Sequence, residues 1–262
     1  MNMRIAWATP FNRRSAIGRN FSLPVVRELV QRGHCLEIVR TEIRETAALP
    51  ALEIEVPIAA PGFADRVPVE QFDAVIINWG DDLLFHGGAL ALVVHAPAIA
   101  ILHDSDMRSF TAAAADLYKT PVEHFTRPLH EGCLPSEVEA DCAQVLAWFA
   151  SLASGAVIHD RRYLEPVRVV CPGPTRLIPG YSSASVAAYV DALLPLVNDA
   201  IVKRPLLEAG FQFGTIFDAC GASYDDPAIE RIASTMAELF GSLKVSADNI
   251  ATPSLNGGTD RR

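Results

Sequence analysis

Short apolar runs recur along the first 160 residues, and stretches with apolar side chains at helical spacing lie between them. Each apolar run predicts a buried β-strand, and the five runs cover residues 5–9, 35–39, 72–78, 98–102 and 156–159. Helical spacing predicts helices over residues 21–32, 83–94 and 135–152. Strands that alternate with helices are typical of an α/β fold, so the pattern predicts a Rossmann-like, doubly wound parallel sheet with helices on both faces.

The pattern changes near residue 171, where prolines, glycines and paired serines over 171–183 predict a loop or linker. Beyond this segment no apolar run is comparable to the first five. Helical periodicity returns over residues 185–201, 205–217 and 226–243, and the polar, glycine-rich end over 249–262 predicts disorder. The sequence therefore predicts an α/β domain over 1–180, a helical extension over 181–246 and a disordered tail over 247–262.

The net charge and the cysteine content indicate which partners and which cellular compartment to expect. The chain has 31 acidic and 22 basic side chains and a net charge of −9, which repels phosphate backbones, so no nucleic-acid partner is expected. The cysteines are odd in number and show no C-x-x-C spacing, as in a reducing cytoplasm; they are Cys35, Cys133, Cys142, Cys171 and Cys220. With no secretory leader and no apolar run long enough for a transmembrane segment, the chain is predicted to be cytoplasmic.

The strand at 98–102 leads directly into His103 and Asp104. In an open parallel sheet, ligands bind beyond the carboxyl ends of the strands, so this position suits chemistry. His103 is a candidate general base that Asp104 or Asp106 would orient or hold charged. The alternative is a strand-end histidine hydrogen-bonded into a turn, with Asp104 or Asp106 capping the next helix.

The loop after the first strand, residues 10–20, lies where dinucleotide-binding proteins carry G-x-G-x-x-G. It contains one glycine, so a dinucleotide site is not expected. Arg13, Arg14 and Arg19 would suit a phosphate or another anion beside a helix N-terminus. A solvated basic loop explains the same residues equally well.

Other candidate sites have simpler explanations. No G-x-S-x-G elbow occurs, so a serine hydrolase is not expected. His86, His124 and His130 lack a third ligand at a recognisable spacing, and no metal is predicted. The pair Asp81-Asp82 follows a predicted strand and precedes a helix, where capping and chemistry are both possible.

Several segments occur together in an order that matches a known family. They are residues 3–10, 15–18 and 29–34, then 72–76 with Asn78 and Gly80, then 101–104 and 155–159. Together they resemble the N-terminal half of GT-B glycosyltransferases of the GT4 type. The resemblance covers about residues 3–180.

The resemblance implies transfer of a sugar from a nucleotide sugar to an acceptor, without metal or cofactor, between two Rossmann-like domains. The first domain supplies most of the acceptor site, and the loop after its first strand approaches the donor. By resemblance the catalytic residues are His103 and Asp104. The substrate-binding residues are then Ile17, Gly18, Arg19, Asn20, Asn78 and Arg108.

The second domain of that family carries the nucleotide pocket and a Glu-x7-Glu motif. Here the Glu-x7-Glu spacing occurs three times, but never after the glycine-rich loop and strand that precede the motif in the family. The three pairs are Glu45/Glu53, Glu123/Glu131 and Glu230/Glu238. The segment 186–194 and the residues from 205 onward instead resemble the C-terminal helices that pack back on the first domain of GT-B folds. The chain therefore resembles a GT-B protein without its central nucleotide-binding portion.

Three functions follow from these expectations. The first is a glycosyltransferase-like protein, incomplete alone, that needs a complementary donor-domain chain or a homo-oligomer formed through its open face. The second is a non-catalytic module that binds a sugar or serves as a scaffold or regulator. The third is an unrelated Rossmann-like enzyme that uses His103 and Asp104.

Overall fold

A computed structural model describes residues 2–61, 67–95, 97–129, 140–180 and 186–210. Seven parallel strands form one sheet in the order β3-β2-β1-β4-β5-β6-β7. The strands are β1 (Arg4–Thr9), β2 (Cys35–Arg40), β3 (Ile58–Ala59), β4 (Ala74–Trp79), β5 (Ile99–Leu102), β6 (Gly155–Ile158) and β7 (Thr175–Leu177). The strand order reverses between β1 and β4, which is the topological switch point of a Rossmann-like sheet. The predicted fold class is confirmed.

Eight α-helices accompany the sheet within the described residues. They are α1 (Leu23–Gln31), α2 (Arg44–Ala47), α3 (Leu83–His86), α4 (Ala89–His95), α5 (Arg108–Tyr118), α6 (Ala140–Ser151), α7 (Leu164–Val170) and α8 (Val186–Gly210). A π-helical turn, Gly18–Ser22, leads into α1. Short 3-10 turns lie at Val69–Gln71, Val122–Phe125 and Arg161–Tyr163. No helix in the described part of the chain is long and apolar enough to cross a membrane.

Alternate residues of each strand pack on opposite faces of the sheet. On one face, Ile5 and Trp7 of β1 join a core to which α1 and α8 contribute, with Leu29 and Leu193 fully buried. On the other face, Trp79 packs edge-on against Phe110 of α5 and tilted against Phe149 of α6. Helices therefore cover both faces, as predicted.

The C-terminal helix α8 packs back on the sheet face that carries α1. Arg32, at the end of α1, donates hydrogen bonds to the Asp191 carboxylate at 2.5 Å and to the carbonyl of Ala187 at 3.0 Å. The buried residues of α8 in this core are Tyr189, Val190, Leu193, Leu196, Val197 and Ala200. The prediction of a C-terminal helical segment that packs back on the sheet is confirmed.

The helix predicted over 83–94 is two helices, α3 and α4, separated by Gly87 and Gly88. The Gly88 amide donates to the Thr41 carbonyl at 2.9 Å, where the chain leaves β2. A Cβ on Gly88 would lie only 2.9 Å from that oxygen. The helix breaks here because the backbone of a neighbouring loop approaches it closely.

Two edge strands depart from the predicted pattern. β7 lies inside the segment predicted as a loop or linker, between Pro174 and Pro179, and β3 was not predicted at all. Strands of two or three residues give too few alternating positions to show a period of two. An edge strand also tolerates flanking prolines, because one of its sides needs no hydrogen-bond donors.

The helices predicted over 185–201 and 205–217 form one continuous helix as far as Gly210. The remainder of the second helix, the helix predicted over 226–243 and the predicted disordered tail lie outside the described residues. So does the predicted start of the helix over 135–152, which the structure describes from Ala140. The domain division at residue 180 stays a prediction.

Candidate functional site

Three polar side chains lie next to one another at the carboxyl ends of neighbouring strands, just beyond the apolar core. Asn78 of β4 pairs in register with Ile101 of β5, which in turn pairs with Val157 of β6. Two residues after these partners come His103 and His159, on the same face by strand alternation. Asn78, His103 and His159 therefore come together at the carboxyl ends of β4, β5 and β6, on the face covered by α1 and α8.

Asn78 sets the tautomer of the neutral His103 ring. The Asn78 amide nitrogen donates to the Ala8 carbonyl at 3.0 Å, so its oxygen faces the imidazole. The Nε2 of His103 lies 3.0 Å from this Asn78 Oδ1 and donates to it. In the neutral imidazole, Nδ1 then carries the lone pair. His103 is thus held as an imidazole with one free acceptor.

His159 lies beside His103, with 5.2 Å between the ring centroids. Its Nδ1 lies 2.6 Å from the Ile178 carbonyl and donates to it, so Nε2 is an acceptor in the neutral ring. Phe21, in the π-helical turn, presents its ring edge-to-face to His103 at a centroid distance of 4.3 Å. Tyr189 of α8 contacts the ring of Phe21 at 5.1 Å. Aromatic side chains therefore enclose the two histidines on the α1 and α8 side.

Burial keeps the histidines of this region neutral. Loss of hydration, followed by the charges of His159 and His86, lowers the pKa of His103 well below its usual range. Loss of hydration also lowers the pKa of His159. It lowers the pKa of His86, which is fully buried, to about 4. All three side chains are neutral hydrogen-bonding groups at neutral pH.

These pKa shifts predict loss of stability in acid. Below pH 6.5 the unfolded chain binds protons that the folded His86 does not, so the free energy of unfolding falls as the pH falls towards 4. We expect His86 alone to account for about 3 kcal/mol of this loss at pH 4. His103 and His159 change stability in the same direction. Urea denaturation between pH 7 and pH 4 measures the loss.

His86→Asn is the matched variant, because an asparagine amide can replace the donor that bonds the Asn78 carbonyl at 2.8 Å. This variant is expected to lose less stability between pH 7 and pH 4 than the wild-type protein. An equal loss in the two proteins would contradict the assignment of a neutral, buried His86.

A buried carboxylate organises the loop after β1. Glu42 Oε1 accepts hydrogen bonds from the Phe11 amide at 2.9 Å and from Asn12 Nδ2 at 2.7 Å. It also forms a buried ion pair with Arg40 at 3.0 Å. Asn12 Oδ1 in turn accepts from the amide of Arg14 at 2.8 Å. The end of β2 therefore sets the path of the loop that leads to Gly18.

Gly18 lies where this loop turns back on itself. Its amide donates to Ser15 Oγ at 2.8 Å, and a Cβ on Gly18 would lie 2.4 Å from the Pro10 carbonyl oxygen. The preceding Ile17 reaches Gly80, after β4, with its Cδ1 only 2.7 Å from the position of a Cβ there. Glycines at 18 and 80 thus allow the loop to lie directly against the strand ends.

Gly18→Ala is expected to destabilise the protein by about 1–3 kcal/mol, because a backbone oxygen cannot move aside without shifting the loop. Gly180→Ala is the matched control, since no heavy atom lies within 4 Å of its Cβ position. Urea denaturation of both variants measures the difference. Equal stabilities would contradict the close approach at Gly18.

The basic side chains of the loop point away from the strand ends. Arg13 forms an exposed ion pair with Glu53 at 3.4 Å. Arg14, Arg19 and Asn20 are exposed as well, and Arg19 donates to the Ser15 carbonyl at 3.4 Å. The structure therefore places Ile17 and Gly18 against the strand ends and the three arginines at the surface.

The aspartates near His103 make other contacts. Asp104 Oδ2 accepts from the Asp81 amide at 2.9 Å, and Asp81 Oδ1 accepts from the Phe110 amide at 2.8 Å. Within the described part of the chain, no carboxylate hydrogen-bonds His103. Its orienting partner is Asn78, which corrects the expectation that Asp104 or Asp106 orients it.

Asp106 and Arg108 form a bidentate pair at 2.5 and 2.8 Å. The hydrogen bond from Arg108 lowers the pKa of Asp106 to about 2. Asp160 is paired in the same manner with Arg162. These arginines are thus partnered by carboxylates at the rim of the strand ends.

A cavity of about 130 Å³ lies between the ends of β5 and β6. Its lining residues are Leu102, His103, Asp104, Ser105, Leu146, Ile158, His159, Asp160 and Tyr163. Small-molecule sites commonly measure about 300–1,000 Å³, so this cavity accommodates part of a ligand rather than a whole nucleotide sugar. Its carboxylates favour a neutral, hydroxyl-bearing group over a phosphate.

No group of three or more histidine, cysteine, aspartate or glutamate side chains is placed to hold a metal ion within the described residues. His86 is buried and bonded to Asn78, and His124 is exposed beside the Thr120 hydroxyl at 2.9 Å. His130 lies outside the described residues. His86 and His124 therefore have structural roles or simple surface positions.

Three residues of the site were not predicted as site residues, namely Phe21, His159 and Tyr189. For His159 the sequence does carry a signal. Two strands end in the same motif, an aliphatic residue followed by His-Asp, at Leu102-His103-Asp104 and at Ile158-His159-Asp160. Adjacent parallel strands that end alike place like residues side by side.

Comparison with known proteins does not assign the chain to a family, because no protein-family model and no curated protein matches it. The parallel sheet establishes a Rossmann-like fold, which hosts many unrelated functions. The function must therefore be argued from the residues at the strand ends.

Proposed function

We propose that the protein acts on the acceptor side of a glycosyl transfer. It binds a sugar at the carboxyl ends of β4, β5 and β6, and a partner chain brings the nucleotide-sugar donor. The resemblance of residues 3–180 to GT-B glycosyltransferases of the GT4 type supplies the reaction class. The hydrogen-bonded pair Asn78 and His103 is the observation that carries the proposal.

The pair supports this function because it presents a defined acceptor beside a cavity. With Nε2–H committed to Asn78 Oδ1 at 3.0 Å, the Nδ1 lone pair of His103 is available to a hydroxyl. Burial keeps the pKa of His103 low, so the lone pair is present throughout the neutral range. An imidazole in this state orients a sugar hydroxyl without competing for its proton in the ground state.

In the proposed reaction the oriented hydroxyl oxygen bonds to the anomeric carbon of the donor. The bond from that carbon to the diphosphate oxygen breaks, and the electron pair leaves with the diphosphate. The hydroxyl proton passes to His103 Nδ1 or to the leaving phosphate oxygen. His103 is the proposed catalytic residue, and Asn78 is a positioning residue that sets its tautomer.

The donor half of the reaction belongs to a partner chain in this proposal. The loop at Ile17 and Gly18 lies against the strand ends, where the resemblance places the approach to the donor. Arg108 and Arg162, which follow β5 and β6 along the chain, are each paired with an aspartate. Cationic groups for the leaving diphosphate would thus come from the partner.

The test is a transfer assay on the complex purified from the cells that make the protein. The complex is incubated with a panel of nucleotide sugars and neutral methyl glycosides, with and without EDTA, and the products are weighed by mass spectrometry. The proposal expects one glycoside to gain a hexose, with the same yield in EDTA. A complex that gives no product, or a product only without EDTA, would overturn it.

A non-catalytic sugar-binding module is the second candidate. The pairing of Arg108 with Asp106 favours it, because a bidentate partner leaves this cation little capacity to neutralise a diphosphate. The two candidates differ in one result. The module binds a glycoside with no transfer in the purified complex, whereas the transferase does both.

A further inference from the structure

We propose that His159 is a second hydroxyl-binding residue, so that the ligand of this site is a neutral sugar that presents two neighbouring hydroxyls to two imidazoles. This inference rests on the proposed function and names its substrate class more closely. The anionic alternative, a sugar phosphate bound through its phosphate, is disfavoured at the same position by the carboxylates of the lining.

The two ring nitrogens of His159 have different surroundings. Its Nδ1 donates to the Ile178 carbonyl at 2.6 Å, which leaves Nε2 as an acceptor. This Nε2 is buried, and no described residue donates a hydrogen bond to it. Buried polar atoms in folded proteins are nearly always hydrogen-bonded, and an exception calls for an explanation. A ligand hydroxyl supplies the donor.

The ring that carries this acceptor lies close to the ring of His103. The rings of His103 and His159 lie 5.2 Å apart, and both side chains line the same cavity of about 130 Å³. Each ring has its other nitrogen committed, His103 to Asn78 and His159 to Ile178. One cavity is therefore lined by two imidazoles that each keep an acceptor nitrogen, and in the proposal these accept from hydroxyls on adjacent carbons of one sugar ring.

The charges around the cavity favour a neutral ligand over a phosphate. Asp104 and Asp160 line the cavity with the two neutral imidazoles. The guanidinium of Arg162 is engaged by Asp160 at 2.6 Å. A phosphate brings negative charge, which the two carboxylates repel, although the Ser105 and Tyr163 hydroxyls of the lining are donors. Hydroxyl groups bring donors, and carboxylates at the rim can accept from further hydroxyls.

The experiment is a long-range ¹H–¹⁵N NMR titration of the full-length protein with methyl α-glucoside, methyl α-mannoside, methyl α-galactoside and glucose 1-phosphate as probes. A ring nitrogen that accepts a hydrogen bond changes its ¹⁵N shift. We expect one neutral glycoside to move His103 Nδ1 and His159 Nε2 together. His34 is the internal control, because its Nδ1 already accepts from the Met3 amide at 3.3 Å.

Two variants complete the test. His159→Phe keeps a ring but removes the acceptor, and it is expected to weaken the glycoside Kd at least 10-fold. His159→Gln keeps an acceptor and is expected to retain more of the affinity than the phenylalanine variant. Equal affinities for wild-type protein and His159→Phe would overturn the inference.

The outcomes separate this inference from the proposed function. If a glycoside moves His103 Nδ1 but leaves His159 Nε2 unchanged, the role of His159 is wrong and the proposed function stands. If only glucose 1-phosphate moves the two resonances, the substrate class is wrong. If no probe moves either nitrogen, both the inference and the proposed sugar site are wrong.

Discussion

Glu42→Ala is expected to lower the free energy of unfolding by about 3–5 kcal/mol, because it leaves a buried guanidinium without its partner. The side chain of Arg40 is 8% exposed and that of Glu42 is 0% exposed. The same carboxylate holds the Phe11 amide and Asn12 Nδ2, so two further donors lose their acceptor. Urea denaturation at pH 7 measures the loss.

Glu53→Ala is the matched control for this prediction. It removes a glutamate whose ion pair with Arg13 is almost fully exposed, and exposed pairs contribute between zero and about 1 kcal/mol. The expected order of stability is wild type, then Glu53→Ala, then Glu42→Ala well below both. If Glu42→Ala costs no more than Glu53→Ala, then Glu42 does not organise the loop after β1.

His103→Ala is expected to reduce kcat/KM for sugar transfer by roughly 100-fold or more. General acid–base groups contribute about 100- to 10,000-fold, and the low pKa of His103, a weak base, favours the lower end of that range. The fold should survive, because His103 is only half-buried and water can solvate the Asn78 oxygen. Initial rates with the donor complex measure the effect, and circular dichroism confirms the fold.

Two variants give this prediction its controls. His124→Ala removes an exposed histidine on the 3-10 turn Val122–Phe125. The transfer rate of this variant should match that of the wild-type protein. Asn78→Asp should also slow transfer, because a carboxylate favours a charged imidazole and so removes the free lone pair. A His103→Ala enzyme with the wild-type rate would eliminate His103 as the catalytic residue.

The sequence predicted the central part of the fold because the central strands are long and buried on both faces. β1, β4, β5 and β6 each carry at least four buried residues in succession, and β2 has apolar residues on either side of Glu37. The edge strands β3 and β7 could not be predicted from an apolar run. Each has only two or three residues, which hydrogen bonds to one neighbouring strand keep in the sheet. The break between α3 and α4 at Gly87 and Gly88 depends on a contact with Thr41, which is distant in sequence and so cannot be predicted from the local pattern of residues.

The sequence predicted that His103 follows a buried strand, but it did not predict the hydrogen-bond partner of His103. The apolar run before His103 predicted its place at the end of a strand. The neighbouring Asp104 was an expected hydrogen-bond partner of His103, and the structure shows Asn78 instead. Successive residues of an extended chain point to opposite sides, so Asp104 turns to the Asp81 amide while His103 turns to Asn78. Asn78 lies 25 residues away along the chain, and only the strand register brings the two together.

The most direct test of the account is a thermal-shift titration of the wild-type protein with neutral methyl glycosides and with nucleotide sugars. A ligand that binds the native state raises its apparent Tm. We expect at least one neutral glycoside to raise the Tm, and we expect this rise to disappear in His103→Ala and to persist in His124→Ala. A flat response to every sugar, or an equal rise in His103→Ala, would contradict the central claim that His103 and Asn78 form a sugar site.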